Sequence, residues 1–448
     1  MTCLKTDIED GRQHNCPQDR PFARQAFFSL FRTGIGRNPH DWVLSAYNLG
    51  DHPGVMELVQ MRAIVTGQVG IDKKGYLTAV RDLAADRDDR IGVYNVGDMM
   101  YAEAPDVRPG RILDLPLSRL HTLRRAVFRD IIFDAKGEAN ILVNTHATFR
   151  WRHGLFGAFD FDQVRALEVD SLICLLDNIE VVHHRLHAEH TVDATLKDLM
   201  VWREEEIMAT ELLAQALGCG NRFFILSRGR EVDTLETCYR LICRPQLRKM
   251  YPSFPMTHVE HLPETRAEID AFRSELAKHF ITFDPGDVDE KILLDRAIEA
   301  AKQGEDFIEC SGLVAPCPDE QDAQGSATQP LGHCATCFQV SVKQVLDIAG
   351  DVDGQIYARD FKMIDQSDMI VSLIPELAGG VPGLSSGVER ELQHAFEHGK
   401  EVYVIWKPDK NPSPFITETA TKVFRSTQEA IAFFDEQGML HQANLFGY

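Results

Sequence analysis

Short apolar runs alternate with longer helical stretches along most of this chain, and that alternation leaves few folds open. Ala63–Thr66, Ile91–Asn95, Asn140–Asn144, Ser171–Asp177 and Arg222–Ser227 read as buried strands, with helical stretches such as Leu120–Asp134 and Leu199–Ala216 between them. A second series begins near Lys249. Its strands read as Lys249–Phe254, Phe280–Asp284, Met369–Ile374 and Val402–Trp406, and its helices as Arg266–Lys278, Glu290–Gln303, Val342–Ala349 and Val388–His398. Strands that are apolar throughout, each followed by a helix, indicate parallel sheets covered on both faces. The expectation is an α/β chain with two doubly wound parallel-sheet domains in tandem, at 61–246 and 247–448, with the border near Cys243–Arg248. Residues 1–60 read as an N-terminal extension without a motif, with one short helix at Ala26–Phe31. A Cys-containing insert at about 308–338, with the loop-like CPDEQDAQGSATQP, interrupts the second series.

Composition narrows the partners. Of 448 residues, 44% are hydrophobic and 26% charged, as in ordinary globular proteins. Lys and Arg number 47 against 68 Asp and Glu, a net charge of -21. Such a field disfavours duplex nucleic acid and anionic membranes, while small anions can still be held at local sites. No apolar run reaches the roughly 18 residues of a membrane span. The first residues, MTCLKTDIEDGRQHNC, lack the apolar core of a secretory signal. Several of the ten cysteines sit inside apolar runs, as in SLICLL and YRLICR. Together these features read as a reduced, cytoplasmic protein.

The first strand runs into IVTGQVGIDKKGYL. A Walker A loop uses glycines so that backbone N–H groups can wrap phosphates, a lysine for the outer phosphates and a hydroxyl for magnesium. Gly67, Gly70 and Lys73 fall at suitable positions, whereas Asp72 stands at the last glycine position and Lys74 at the hydroxyl position. The pattern alone fits a phosphate loop or an ordinary strand-to-helix turn. Its context includes VYNVGDMM after the second strand, NTHATFR after the third and HHRLHAEH beyond the fourth. In this order the region Met61–Leu241 resembles the archaeal-type adenylate kinases and related P-loop nucleoside monophosphate kinases. The resemblance implies ATP and magnesium as cofactors and a nucleotide site of Gly67, Gly70, Lys73 and Lys74. It also implies that His146, Thr148 and Arg150 face the acceptor nucleotide. The chain departs from that family at Asp72 and Lys74, and its lid-like stretch, Arg185 to Arg203, carries arginine only at its ends. An altered or lost phosphoryl transfer is therefore expected.

In the second series, Val388, Glu391, Leu392, Ala395 and Phe396 recur at helical spacing and share one face. Glu391 is then a carboxylate pointing toward a sheet, either bonded to a nearby Ser or amide or chemically active. Asp360 lies upstream, before the strand Met369–Ile374, and the Gly/Ser-rich loop Ala378–Gly387 opens the helix. With YPSFPMTH at the first strand and SSGVERELQHAFEHGKEV at the helix, Lys249–Phe434 resembles the nucleoside 2-deoxyribosyltransferase family, which includes nucleotide N-glycosidases. The resemblance implies Glu391 as nucleophile and Asp360 as the acid that handles the base. Tyr251 and Ser385, Ser386 and Gly387 would line the pocket, and the protein would be a homodimer. The chain departs from the deoxyribosyltransferases, which often carry acidic residues at this point, and the small hydroxyl residues Ser385 and Ser386 resemble the phosphate-accepting glycosidases, which implies a nucleoside 5′-monophosphate rather than a free nucleoside.

Cys310, Cys317, Cys334 and Cys337 are spaced as C-x6-C-x16-C-x2-C, so either a structural zinc or free thiols in an insert fit. His183, His187 and His190 share a helix face, most simply a solvated one, and the run REEEI at 203–207 reads the same way. The leading expectation is an enzyme that cleaves or transfers N-glycosidic bonds of small-molecule nucleotides, carrying an attached nucleotide-binding domain. Two alternatives are a nucleoside or nucleotide kinase with a nucleotide-sensing second domain, and a non-catalytic nucleotide-binding protein of a stress or phage response.

Overall fold

Each apolar run is too short for a helix and is rich in Val, Ile and Leu, which pack well when both faces of a sheet are covered. The computed structural model describes residues 60–440 apart from 138–139, 152–153, 191–192, 230–232, 257–258, 260 and 317–332. The 1–60 extension and its Ala26–Phe31 helix therefore fall outside the described residues, except for residue 60 itself. The first series contains β1 (Arg62–Thr66), β2 (Ile91–Asn95) and β3 (Asn140–Asn144), a small hairpin of β4 (Thr148–Trp151) and β5 (Gly154–Gly157), then β6 (Ser171–Leu176) and β7 (Phe223–Ser227). Its sheet runs β2-β3-β1-β6-β7, and every neighbouring pair is parallel. The covering helices that matter below are α1 (Lys73–Ala85), α2 (Leu117–Asp134), α3 (Ile179–Arg185), α4 (Leu196–Ala216) and α5 (Asp233–Cys243).

The second series contains β8 (Lys249–Ser253), β9 (Ile281–Thr282), a long hairpin of β10 (Phe307–Pro316) and β11 (His333–Ser341), then β12 (Met369–Ile374). A two-residue pair, β13 (Glu376–Leu377) and β14 (Val381–Pro382), precedes β15 (Glu401–Trp406) and β16 (Lys422–Phe424). Here the sheet runs β16-β15-β12-β8-β9, again parallel throughout. Its helices include α6 (Pro263–Ala277), α7 (Glu290–Gln303), α8 (Ala349–Asp365), α9 (Ser386–Glu397) and α10 (Thr427–Glu436). Both expected parallel sheets are present. The strand order reverses between β8 and β12, which opens a crevice at their carboxyl ends, where open α/β sheets bind ligands.

The described residues form one compact unit, and the two sheets share a core. One apolar layer joins Val65 and Leu226 of the first sheet to Ile370 and Val402 of the second. Phe128 and Ile131 of α2 cover the outer face of the first sheet, and Phe272 and Phe434 cover that of the second. The edge strand β7 is closed by a side chain from the other half: the Gln366 amide accepts from Ile225 N–H and donates to Ile225 C=O, both at 2.8 Å. Pairing of this kind blunts an exposed edge.

Candidate active site

The first site is the turn from β1 into α1. Gly67 (φ 137°) and Gly70 (φ 91°) adopt backbone conformations that side chains avoid. A Cβ on Gly67 would lie 2.5 Å from Leu175 O, and one on Gly70 2.8 Å from Leu186 Cγ. The loop therefore needs glycine in order to lie against β6 and the segment after α3. Lys73 opens α1 and is buried, its Nζ 2.5 Å from Gly67 O and 3.2 Å from His146 Nδ1. Burial pulls its pKa down to about 8, although the nearby Glu206 carboxylate opposes the shift.

Asp72 takes the left-handed conformation (φ 57°) at the last glycine position and caps α1, its carboxylate accepting from Gly75 N–H at 3.1 Å. Arg228 bonds the same carboxylate at 3.0 Å. Behind the loop, buried Arg185 donates to Gly70 O, Ile71 O and Asp177. An acid thus occupies a helix N-terminus that would otherwise greet a phosphate. Lys74 points outward and pairs with Asp98 at 2.6 Å, so the hydroxyl position offers no ligand to magnesium.

The expected acceptor residues sit beside this loop, but two are already engaged. Thr148 donates from both its N–H and its hydroxyl to Glu206, at 2.8 and 2.6 Å. Arg150 is paired with Glu205 on α4. His146 stands next to Lys73 and against Phe149. Glu206 is the residue that sequence reasoning missed. Fully buried, it also accepts from Gly67 N–H at 3.0 Å and Ala147 N–H at 2.7 Å, tying the phosphate loop to the end of β3. REEEI is therefore not a solvated face, because Arg203 and Glu206, one turn apart on α4, both point inward.

The second site lies in the crevice between β8 and β12. Glu391 in α9 turns inward with Val388, Leu392 and Ala395, which are buried. One of its oxygens accepts from the Ser253 hydroxyl at 2.6 Å and the other from the Tyr251 hydroxyl at 3.2 Å. Ser372 of β12 supports Ser253 at 3.3 Å. Tyr251 is thus a fully buried donor beneath Glu391, and burial pushes its pKa well up so that it stays protonated. Ser385 uses its hydroxyl to cap α9 at Val388 N–H, Ser386 is exposed, and Gly387 lines the cavity.

That cavity has a volume of about 600 Å³, within the range of small-molecule sites. Glu391 and Asp360 both open onto it. Phe254, Ile269, Ile356 and Phe361 form apolar walls, while Arg266, Arg273, Lys291 and Arg390 bring positive charge and Asp270, Asp289, Asp295 and Asp353 bring negative. Burial raises the Glu391 carboxyl to about 7, with ionised Asp360 adding to the rise and the Ser253 bond opposing it. Burial also raises Asp360 to about 6, held back by Arg359, whose Nε lies 3.2 Å away. Two carboxyls in one apolar-walled cavity, both ionising near neutrality, can divide acid and nucleophile roles.

Asp360 is the end of a buried charge chain. Arg359 Nη1 lies 3.8 Å from Glu290 of α7, and Glu290 bonds Arg203 of α4 at 2.5 Å. Burial pushes the Glu290 carboxyl up, but the two arginines more than offset this and hold it below its ordinary value. The helix α4 thus bonds the first site through Glu206 and, through Arg203, the far end of the charge chain that leads to Asp360.

Of the four spaced cysteines, the structure describes the side chains of Cys310 and Cys337. Cys310 pairs with Phe338 across the β10–β11 hairpin and faces the core, whereas Cys337, one residue on, is exposed on the opposite face. These two thiols do not converge on one ion. Cys317 lies outside the described residues, as does the side chain of Cys334. His183 and His187 meet as their spacing implies, Nε2 to Nε2 at 3.1 Å, and the His190 side chain is not described.

Residues 66–203 match a family model described as an AAA domain. The match ends before the second sheet. No curated protein matches the chain. Among solved structures, the shikimate kinase from Bacteroides thetaiotaomicron is similar at 12% identity, with 42% of this chain and 98% of that chain covered and a TM-score of 0.28. Among the described residues, no helix is long and apolar enough to cross a membrane.

Proposed function

We propose that this chain is a nucleotide-metabolising enzyme whose second sheet cleaves or transfers the N-glycosidic bond of a (deoxy)nucleoside or its 5′-monophosphate. The observation that carries the reading is the convergence of Glu391 and Asp360 on one cavity, both with raised pKa values. Ionised Glu391 attacks the anomeric carbon, the C1′–N bond breaks, and the electron pair leaves with the base. Asp360 delivers the proton that the departing base requires. Water or a second base then displaces Glu391 from the sugar. The apolar walls suit a base, and the cations at the rim suit a phosphate. The test is base release or base exchange from a panel of nucleosides and 5′-monophosphates. No release and no exchange from any member would remove this reading.

A second reading is favoured by the family match over 66–203: a nucleoside or nucleotide kinase whose second cavity senses a nucleotide. ADP formation with nucleoside or monophosphate acceptors, without base release, would establish it. Under either reading the P-loop domain binds a nucleotide through Lys73, and Asp72 weakens that binding. Asp72→Gly frees the Gly75 N–H and removes a negative charge, and glycine adopts the backbone there without strain. ATP affinity is expected to rise about tenfold in Asp72→Gly and to fall at least about tenfold in Lys73→Ala. Equilibrium titration with a fluorescent ATP analogue measures both. Weaker binding by Asp72→Gly would show that the cap supports the site instead of competing with the phosphate.

A further inference from the structure

The helices that carry the two cavity carboxylates meet again at their far ends. Asp360 belongs to α8, whose last residue is Asp365, and Glu391 belongs to α9, which also carries His394 and is capped by His398. One ligand atom from each of Asp365, His394 and His398 lies within 4.8 Å of the others. His394 Nε2 is 2.8 Å from Asp365 Oδ1, and its ring lies flat on Phe361 at 4.3 Å and 8°. His398 directs Nδ1 to the His394 carbonyl oxygen at 2.8 Å, which leaves Nε2 as the nitrogen to meet a metal. Metal-binding imidazoles are commonly oriented by such a bond from the second ring nitrogen to a carbonyl.

We propose that Asp365, His394 and His398 form a binding site for a divalent transition-metal ion that clamps the end of α8 to the end of α9. The donor set of two imidazoles and one carboxylate suits zinc, cobalt or nickel, and not magnesium or calcium, which take oxygen ligands. Metal–ligand bonds of about 2.0–2.2 Å in a tetrahedron hold donor atoms about 3.3 Å apart. Asp365 therefore needs to withdraw from His394 by only about half an ångström. The His394 side chain is 16% exposed and that of Asp365 48%, so an ion can enter from solvent and keep water as a fourth ligand. The site rests on its own geometry. Its consequence, a fixed spacing between Asp360 and Glu391, rests on the proposed glycosidic reading.

Equilibrium dialysis of the metal-stripped full chain against Zn²⁺, Co²⁺ and Mg²⁺ tests the site. One equivalent of Zn²⁺ or Co²⁺ is expected to depend on the histidines. Its affinity should fall at least about tenfold in His394→Ala and in His398→Gln, with no matching equivalent of Mg²⁺. Cys334→Ser and Cys337→Ser should retain it, and the cobalt complex should lack thiolate charge-transfer absorption. His398→Gln changes a surface residue, so an unchanged melting curve without metal shows that the loss is local. Equal stoichiometry and affinity in the wild type and both histidine variants, or no binding by the wild type, would overturn the proposal. Base release does not enter these measurements, so failure of the glycosidic reading leaves them intact.

Discussion

Glu391→Gln is expected to lower base release by on the order of 10³-fold or more while leaving the chain folded. The amide keeps the shape; its oxygen can accept from one of the Ser253 and Tyr251 hydroxyls and its NH2 can donate to the other, but it cannot attack the sugar. The variant should also be the more stable protein above neutral pH. Glu391 is raised to about 7 from 4.5, so between those values the folded chain holds a proton that the unfolded chain has released. A raised carboxyl therefore subtracts stability as pH climbs through that window, by of the order of 1–3 kcal/mol once it is fully ionised. Glutamine removes the penalty. Thermal melts at pH 5 and pH 8 should show the variant gaining on the wild type at the higher value. A variant that releases base normally, or that loses ground at pH 8, contradicts the assignment.

The activity profile follows from the same two groups. The working form has Glu391 ionised and Asp360 protonated, so one proton is shared between two carboxyls near 7 and 6. Base release should be bell-shaped with its maximum between about 6 and 7, and the two limbs belong to the pair. Asp360→Asn should cost about 10²–10⁴-fold and remove the alkaline limb. On the acid limb Asp360 is already protonated and neutral, so the amide leaves that limb without a shift to lower pH.

The two sheets were legible because their strands are continuous apolar runs: β2, β3 and β12 begin and end where the pattern says. Helix α8 was not. Gly350, Gly354 and four aspartates lower its intrinsic propensity, and it persists through tertiary contacts such as Gln355 with Arg203 and Lys362 with Glu211. The inward turn of Glu391 followed from its spacing to Val388 and Leu392. Phe396 did not follow. It is 50% exposed because eight residues carry it about 80° round the helix from Val388, off the buried face. On α4, likewise, Trp202 and Leu213 are core, whereas the apolar Met208 and Leu212 are exposed. Ser253, Arg359 and Glu206 act through partners distant in sequence, and a one-dimensional pattern carries no sign of such contacts. Arg203 and Glu206 did leave a trace, their three-residue spacing, which the surrounding charges obscured.

That spacing leads to the largest expected change in stability. Glu290 is 1% exposed and is the only carboxylate that Arg203 is shown to pair with among the described residues; Arg359 pairs with it and with Asp360. In Glu290→Ala the guanidinium of Arg203 is left buried with only Gln355, and the desolvation cost of that charge is no longer offset. Breaking a buried pair from one side typically costs about 3–5 kcal/mol, and chemical denaturation of the full chain measures it. The wild-type contribution should be sensitive to acid. Glu290 is held below its ordinary value, so its stabilisation is complete above the unfolded carboxyl's pKa and is lost as pH falls through the folded one. The variant should therefore lose most relative to wild type at neutral pH and least in acid. The cavity should register the change as well. Glu290 raises Asp360 and Arg359 lowers it, so without Glu290 the full charge of Arg359 acts on Asp360 and drags its pKa down. The alkaline limb of base release should then shift toward acid even in molecules that remain folded, an effect that a purely structural role for Glu290 does not produce.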